Sequence, residues 1–148
     1  MKALIQRVKN ADVKVDGKVI GQVGNGLMIL IGFTGTDEEK DLDFFVEKII
    51  NLRIFEDENQ KMNLSLLNVK GEALIVSQFT LYADCKGGRR PSFIEAAAPE
   101  KALALYTKFV QLFKDKGIKV GEGEFGAMMD VSLVNSGPTT IILDSEQL

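Results

Sequence analysis

Residues 27–33 read LMILIGF, an apolar run with no polar interruption, and it constrains the fold more than any other stretch. Successive side chains of a strand point to opposite faces, so a sheet with one wet face shows alternation. The lack of alternation predicts a strand covered on both faces, and a sheet with material packed on each side. The residues before it supply neighbours. Leu4, Val8, Val13 and Val15 alternate in places up to Asp16-Gly17, a strong signal for a two-residue hairpin. Lys18 to Val23 is the returning strand and Gly24-Asn25-Gly26 the next turn. Three strands in quick succession predict an antiparallel meander.

Helical spacing takes over after residue 35. Thr36 and Glu39 have capping-box spacing and predict a helix from Thr36 to near Leu52, with Leu42, Phe45, Val46, Ile49 and Ile50 inward. RIFED, residues 53–57, predicts a short strand before a polar turn, and EALIVSQFTLYA a strand from about Ala73. DCKGGRRPSF, residues 84–93, is a loop. Pro99 opens a second helix with Leu103, Tyr106, Phe109, Val110 and Phe113 as its stripe and Gly117 as its cap. A strand near Ile118–Val120, a glycine-rich stretch and two last strands complete the order βββ-α-β-β-α-βββ. This is one α+β domain, residues 1–148, dominated by mixed or antiparallel sheet.

Composition sets limits on the chemistry. The chain has 148 residues, 45% hydrophobic and 26% charged, the makeup of an ordinary globular domain. It contains no histidine, which excludes Ser-His and Cys-His catalysis and histidine zinc ligation. A net charge of −3 argues against broad binding of nucleic acid through a basic surface, while leaving room for a local patch. The single Cys85 forms no internal disulfide and fits a reducing cytoplasm, the expected location. No apolar run approaches the roughly 18 residues of a bilayer span, and the N-terminus lacks a signal peptide's apolar block. No membrane association is expected.

Three stretches could carry chemistry. In SQFTLYA, strand geometry sets Ser77, Phe79 and Leu81 on one face and Gln78, Thr80 and Tyr82 on the other. A Ser-Gln-x-Thr cluster leaving an apolar strand offers hydroxyls, an amide and backbone N–H groups to a carbonyl or hydroxyl. The same residues also serve to satisfy a strand end. KGGRRPSF, with Lys86, Arg89 and Arg90, suits phosphate recognition, since guanidinium binds phosphate through paired hydrogen bonds. A solvated loop is the plainer reading, and Lys101 and Lys108 extend the patch if their helix face turns outward. In VSLVNSGPTTIILDS, residues 131–145, Gly137-Pro138 interrupts good strand formers. It is an edge-strand bulge or a cis peptide whose glycine lets carbonyls project into a pocket. Pattern alone does not choose. The carboxylates Glu38, Glu39, Asp41 and Asp43 belong to a helix's solvent face, and no metal or cofactor is expected.

Several of these motifs coincide in one family. LIQRV (Leu4–Val8), SQFTLYAD with RRPSF, and VSLVNSGPTT resemble the D-aminoacyl-tRNA deacylase family, as do RIFEDENQKMNLSL and FGAMMDVSL. The resemblance runs from end to end and implies that family's barrel-like fold. It implies hydrolysis of the ester joining a D-amino acid, or glycine mischarged on tRNA-Ala, to the terminal adenosine of tRNA. It also implies a homodimer with an active site at each subunit boundary. By the resemblance, Ser77, Gln78, Phe79 and Thr80 surround the scissile ester, and Gly137-Pro138 is a cis dipeptide entering the partner's pocket. Asn135 belongs to the same motif, Arg7 steadies the dipeptide, and Phe125 and Met129 flank the adenosine. Lys86, Arg89 and Arg90 are the expected phosphate contacts. Two accounts of the chemistry stay open, Thr80 as nucleophile or the RNA 2′-hydroxyl activating water. A non-catalytic RNA-binding module and a small-molecule esterase are the alternatives in other classes.

Overall fold

The computed structural model describes residues 1–148. Strands β1 (Lys2–Val15) and β2 (Lys18–Val23) form the expected hairpin. Asp16 and Gly17 turn it with φ of 50° and 77°, the left-handed pair that a tight hairpin turn requires. Strand β3 (Gly26–Gly32) does not continue a meander, because it pairs with β1 instead of β2. The length of β1 is the reason: residues 2–8 take β3, while residues 11–15 take β2.

Two crossovers follow. Helix α1 (Leu42–Ile50) leads through a small hairpin, β4 (Phe55–Glu56) with β5 (Met62–Leu64), to β6 (Glu72–Ser77), which lies parallel to β3. Helix α2 (Pro99–Asp115) leads to β7 (Val120–Glu122), parallel to β6. The sheet order is β2-β1-β3-β6-β7, with β8 (Asp130–Asp144) antiparallel along β1. Ile5 thus sits between Ile29 and Ile141. At the far end β7 returns to β2 so closely that a Cβ on Gly21 would lie 2.6 Å from the Glu122 carbonyl oxygen. The sheet is a nearly closed, mixed barrel.

The apolar run is covered on both sides, as its sequence requires. Leu27, Ile29 and Ile31 pack with α1 and α2, whereas Met28 packs inside the curved sheet with Val8, Leu74 and Val76. Phe45, Phe109 and Phe113 are fully buried between helices and sheet, each contributing roughly 1.5–3 kcal/mol by removal from water.

Four local expectations need correction. Helix α1 starts at Leu42, after a 3-10 turn at Glu39–Asp41, and has no side-chain cap. The Thr36/Glu39 box does not form. Asp37 instead accepts from Thr34 N at 2.8 Å and from the Met1 ammonium at 2.6 Å, closing a turn before the helix. On α2, Leu103 is exposed, and the inward stripe uses Ala102 and Leu105 ahead of Tyr106, Phe109, Val110 and Phe113. The hairpin strand β5 was not anticipated, and the two final strands are one, β8. Gly117 does cap α2 with φ of 80°, its N–H bonding Lys114 O while Ile118 N bonds Phe113 O. No helix is long and apolar enough to cross a membrane.

Candidate active site

Strand β6 loses both neighbours where the site begins. Its pairing with β7 ends at Ile75–Glu122, and its pairing with β3 ends at Ile31–Ser77. Gln78 N still donates to Ile31 O at 2.8 Å. With no ladder to follow, the chain then tightens into a 3-10 turn, Phe79–Tyr82. The expected strand alternation past Ser77 is therefore wrong. Tyr82 is buried, while Phe79 and Thr80 face outward. The first amides of a helical turn have no partner within it, which leaves the N–H groups of Phe79 and Thr80 outside the turn's own bonding.

The parting of β6 and β7 opens a cavity of about 740 Å³, lined by 18 residues of which 14 are hydrophobic. That volume suits a small-molecule site. Ser77, Gln78 and Phe79 line it, as do Phe125 and Met129, so five of the expected site residues meet here. Thr80 is one bond away, its hydroxyl accepting from the Gln78 amide. Phe79 packs edge-on against Phe93 at 5.1 Å, and Met128 stands at the lip, 91% exposed. The only polar side chains in the lining are the Ser77 hydroxyl and the Gln78 amide, and no ionisable side chain lines it. Sequence reasoning missed Phe33, Ala102 and the run Ala96–Ala98, which also line it. Three small residues just before the helix-opening Pro99 were the available signal.

A second cluster surrounds the break in β8. The register between β1 and β8 jumps between Gln6 and Val8, which leaves Arg7 facing the break. Arg7 is 7% exposed; its Nε donates to Ser136 O at 3.1 Å and its Nη1 to Ile54 O at 2.6 Å. Asn135 spans the base of the break, accepting from Thr139 N at 3.1 Å and donating to Thr140 Oγ1 at 2.9 Å. The Gly137–Pro138 peptide bond is cis, and Gly137 has φ of 123°, a conformation that favours glycine. A Cβ there would also crowd the Arg7 guanidinium at 2.8 Å. Gly137 and Pro138 are exposed. None of Arg7, Asn135, Gly137 and Pro138 lines the cavity of its own chain.

Lys86, Arg89 and Arg90 sit on an exposed loop, closed by the backbone pair Asp84–Ser92 at 2.8 and 2.9 Å. No carboxylate pairs with any of the three. The loop runs directly into Phe93 of the cavity. Lys101 and Lys108 do not extend this patch: Lys101 donates to Gly35 O at 2.6 Å, and Lys108 lies 3.4 Å from Glu39. The acidic segment ahead of α1 is engaged in ion pairs, including Glu38–Lys40 at 2.8 Å, whose hydrogen bond holds the Glu38 carboxyl below its ordinary pKa.

An apolar cleft with one hydroxyl, one amide and adjoining amides can hold and orient a ligand, and no ionisable side chain lines it. The family model for D-Tyr-tRNA(Tyr) deacylase matches residues 4–144. A D-aminoacyl-tRNA deacylase of Thermosipho africanus is 58% identical over 148 residues, covering 100% of this chain and 99% of the relative. The solved structure of a c-Myc DNA Unwinding Element Binding Protein superposes with a TM-score of 0.91 at 42% identity, covering 97% of this chain and 98% of that one. A second, described as a probable eukaryotic D-amino acid tRNA deacylase, gives 0.83 at 20% identity over 96% and 97%, a likeness of fold alone. The class thus defined is the ester-bond hydrolases, on an α+β scaffold. Within it, the chain belongs to the D-aminoacyl-tRNA deacylase family.

Proposed function

We propose that this enzyme releases D-amino acids, and glycine mischarged on tRNA-Ala, from tRNA in the cytoplasm as a chiral proofreader. The observation that carries the mechanism is the cavity without an ionisable lining residue. Water adds to the ester carbonyl, and the bond to the terminal ribose oxygen breaks, yielding free amino acid and tRNA. The RNA's own 2′-hydroxyl activates the water, because no side chain in the cavity serves as a base. Ser77 and Gln78 orient the acyl group, and the N–H groups of Phe79 and Thr80 receive the developing oxyanion. Phe125 and Met129 pack against the terminal adenosine. Lys86, Arg89 and Arg90, free of carboxylate partners, meet acceptor-stem phosphates.

Selectivity comes from the break in β8. Gly137-Pro138 of one subunit of a homodimer enters the other's cavity, where carbonyl oxygens accept from the substrate ammonium. An L side chain would then point into backbone, whereas a D side chain points away and glycine has none. Two features support this reading: the dipeptide is exposed, and Arg7 braces it from behind.

The test compares hydrolysis of matched D-Tyr-tRNA and L-Tyr-tRNA. Rapid loss of the D ester with the L ester untouched is expected. Equal rates would sink the chiral filter, and an intact D ester would leave a binding module only. Equal cleavage of D-tyrosine esters lacking the tRNA end would favour a small-molecule esterase. A monomer in sedimentation at working concentration removes the cross-subunit part.

A further inference from the structure

Where β6 and β7 part, one carbonyl carries two hydrogen bonds. Ile75 O accepts from Gly123 N at 3.1 Å and from the Tyr106 hydroxyl at 2.8 Å. Tyr106 reaches it from α2 and is 4% exposed. Ala102, one turn earlier on the same helix, lines the cavity. The Tyr106 ring also lies against Phe125, with centroids 6.1 Å apart and planes inclined by 44°. Burial, aided by the Glu122 carboxylate, lifts the phenol well above its ordinary pKa, so the group stays a donor.

The two sides of the cavity are held by different means. On the Ser77 side, Gln78 N bonds Ile31 O and ties the exit of β6 to β3. On the Phe125 side, the β6–β7 register ends at Ile75–Glu122. Beyond it the backbone link to β6 is the Gly123–Ile75 bond, and Phe125, backed by Tyr106, packs against the core. We infer that Tyr106 is a positioning residue for deacylation: its hydroxyl on Ile75 and its ring on Phe125 fix one side of the cavity relative to the other. The inference rests on the reading of this cavity as the site for the aminoacyl end of tRNA. Phe125 contributes to binding, while Ser77 and Gln78 are anchored independently, so loss of the hydroxyl weakens binding more than turnover.

Tyr106→Phe keeps the ring and leaves Ile75 O its bond from Gly123 N, so the variant folds, melting within about 5 °C of the parent. Its KM for D-Tyr-tRNA is expected to rise about fivefold, the worth of one net hydrogen bond, with kcat within about twofold. In a Phe125→Ala background the same change adds less than about twofold to KM, because the ring it positions is gone. An unchanged KM in the intact protein, a loss in kcat alone, or the same fivefold KM effect in both backgrounds overturns the role of Tyr106 and leaves the cavity reading standing. A Phe125→Ala enzyme with the parent's KM overturns the cavity reading, and the role of Tyr106 with it.

Discussion

Thr80 is the hydroxyl of SQFTL that lies outside the cavity lining, and its oxygen already accepts from the Gln78 amide. An alcohol is a weak nucleophile unless a base takes its proton, and the chain has no histidine to do so. Thr80→Ala is therefore expected to deacylate D-Tyr-tRNA within about tenfold of the parent, the scale of one lost hydrogen bond. Single-turnover rates decide this, and a drop of about a thousandfold or more would make Thr80 the nucleophile after all. Ser77 and Gln78 were legible in the sequence because polar side chains at the exit of an apolar strand are conspicuous. Ala96, Ala97 and Ala98 were not, since a methyl group becomes a pocket wall only through what faces it. Periodicity places Tyr106 inward, where it lies, but says nothing about which carbonyl its hydroxyl meets.

Among the elements, the strands and helices with a clear period were legible, and the misreadings share a cause. FTLY alternates like a strand and coils because β6 loses β7 after Ile75 and β3 after Ser77, a fact held by other segments. The helix starts later than the capping-box spacing predicts because Thr34 and Met1 hold Asp37, one of them 36 residues away in sequence. The pairing of β3 with β6 rests on close backbone contact, and a Cβ on Gly26 would run into the Glu72 backbone. Gly26→Ala is expected to lower stability by about 1–3 kcal/mol, the usual range for overpacking. Gly24→Ala, two residues away, meets nothing within 4 Å and should stay within about 0.5 kcal/mol. Urea midpoints from circular dichroism check both, and equal midpoints for the two variants would show that the β3–β6 contact tolerates a side chain.

For the molecule as a whole, the net charge of −3 opposes a polyanion, so engagement of tRNA depends on where cations free of carboxylate partners sit together. Arg89 and Arg90 stand on an exposed loop leading into the cavity segment. Replacing both with Gln should flatten the salt dependence of tRNA binding by about 1.5 in log–log slope, near the value for two lost phosphate contacts. Filter binding across a salt series measures it, and an unchanged slope would return the loop to mere solvation. The family resemblance implied a barrel-like fold, but residue pattern alone does not show its near-closure, which depends on β7 meeting β2 through Gly21 and Glu122, far apart in sequence. The cavity's lack of an ionisable lining residue also has a genetic consequence. Under the proposed mechanism no side chain carries the reaction alone, so an allelic series in the cavity should consist of hypomorphs. Null alleles should instead fall at fully buried positions such as Phe109, where the lesion is in folding and not in chemistry.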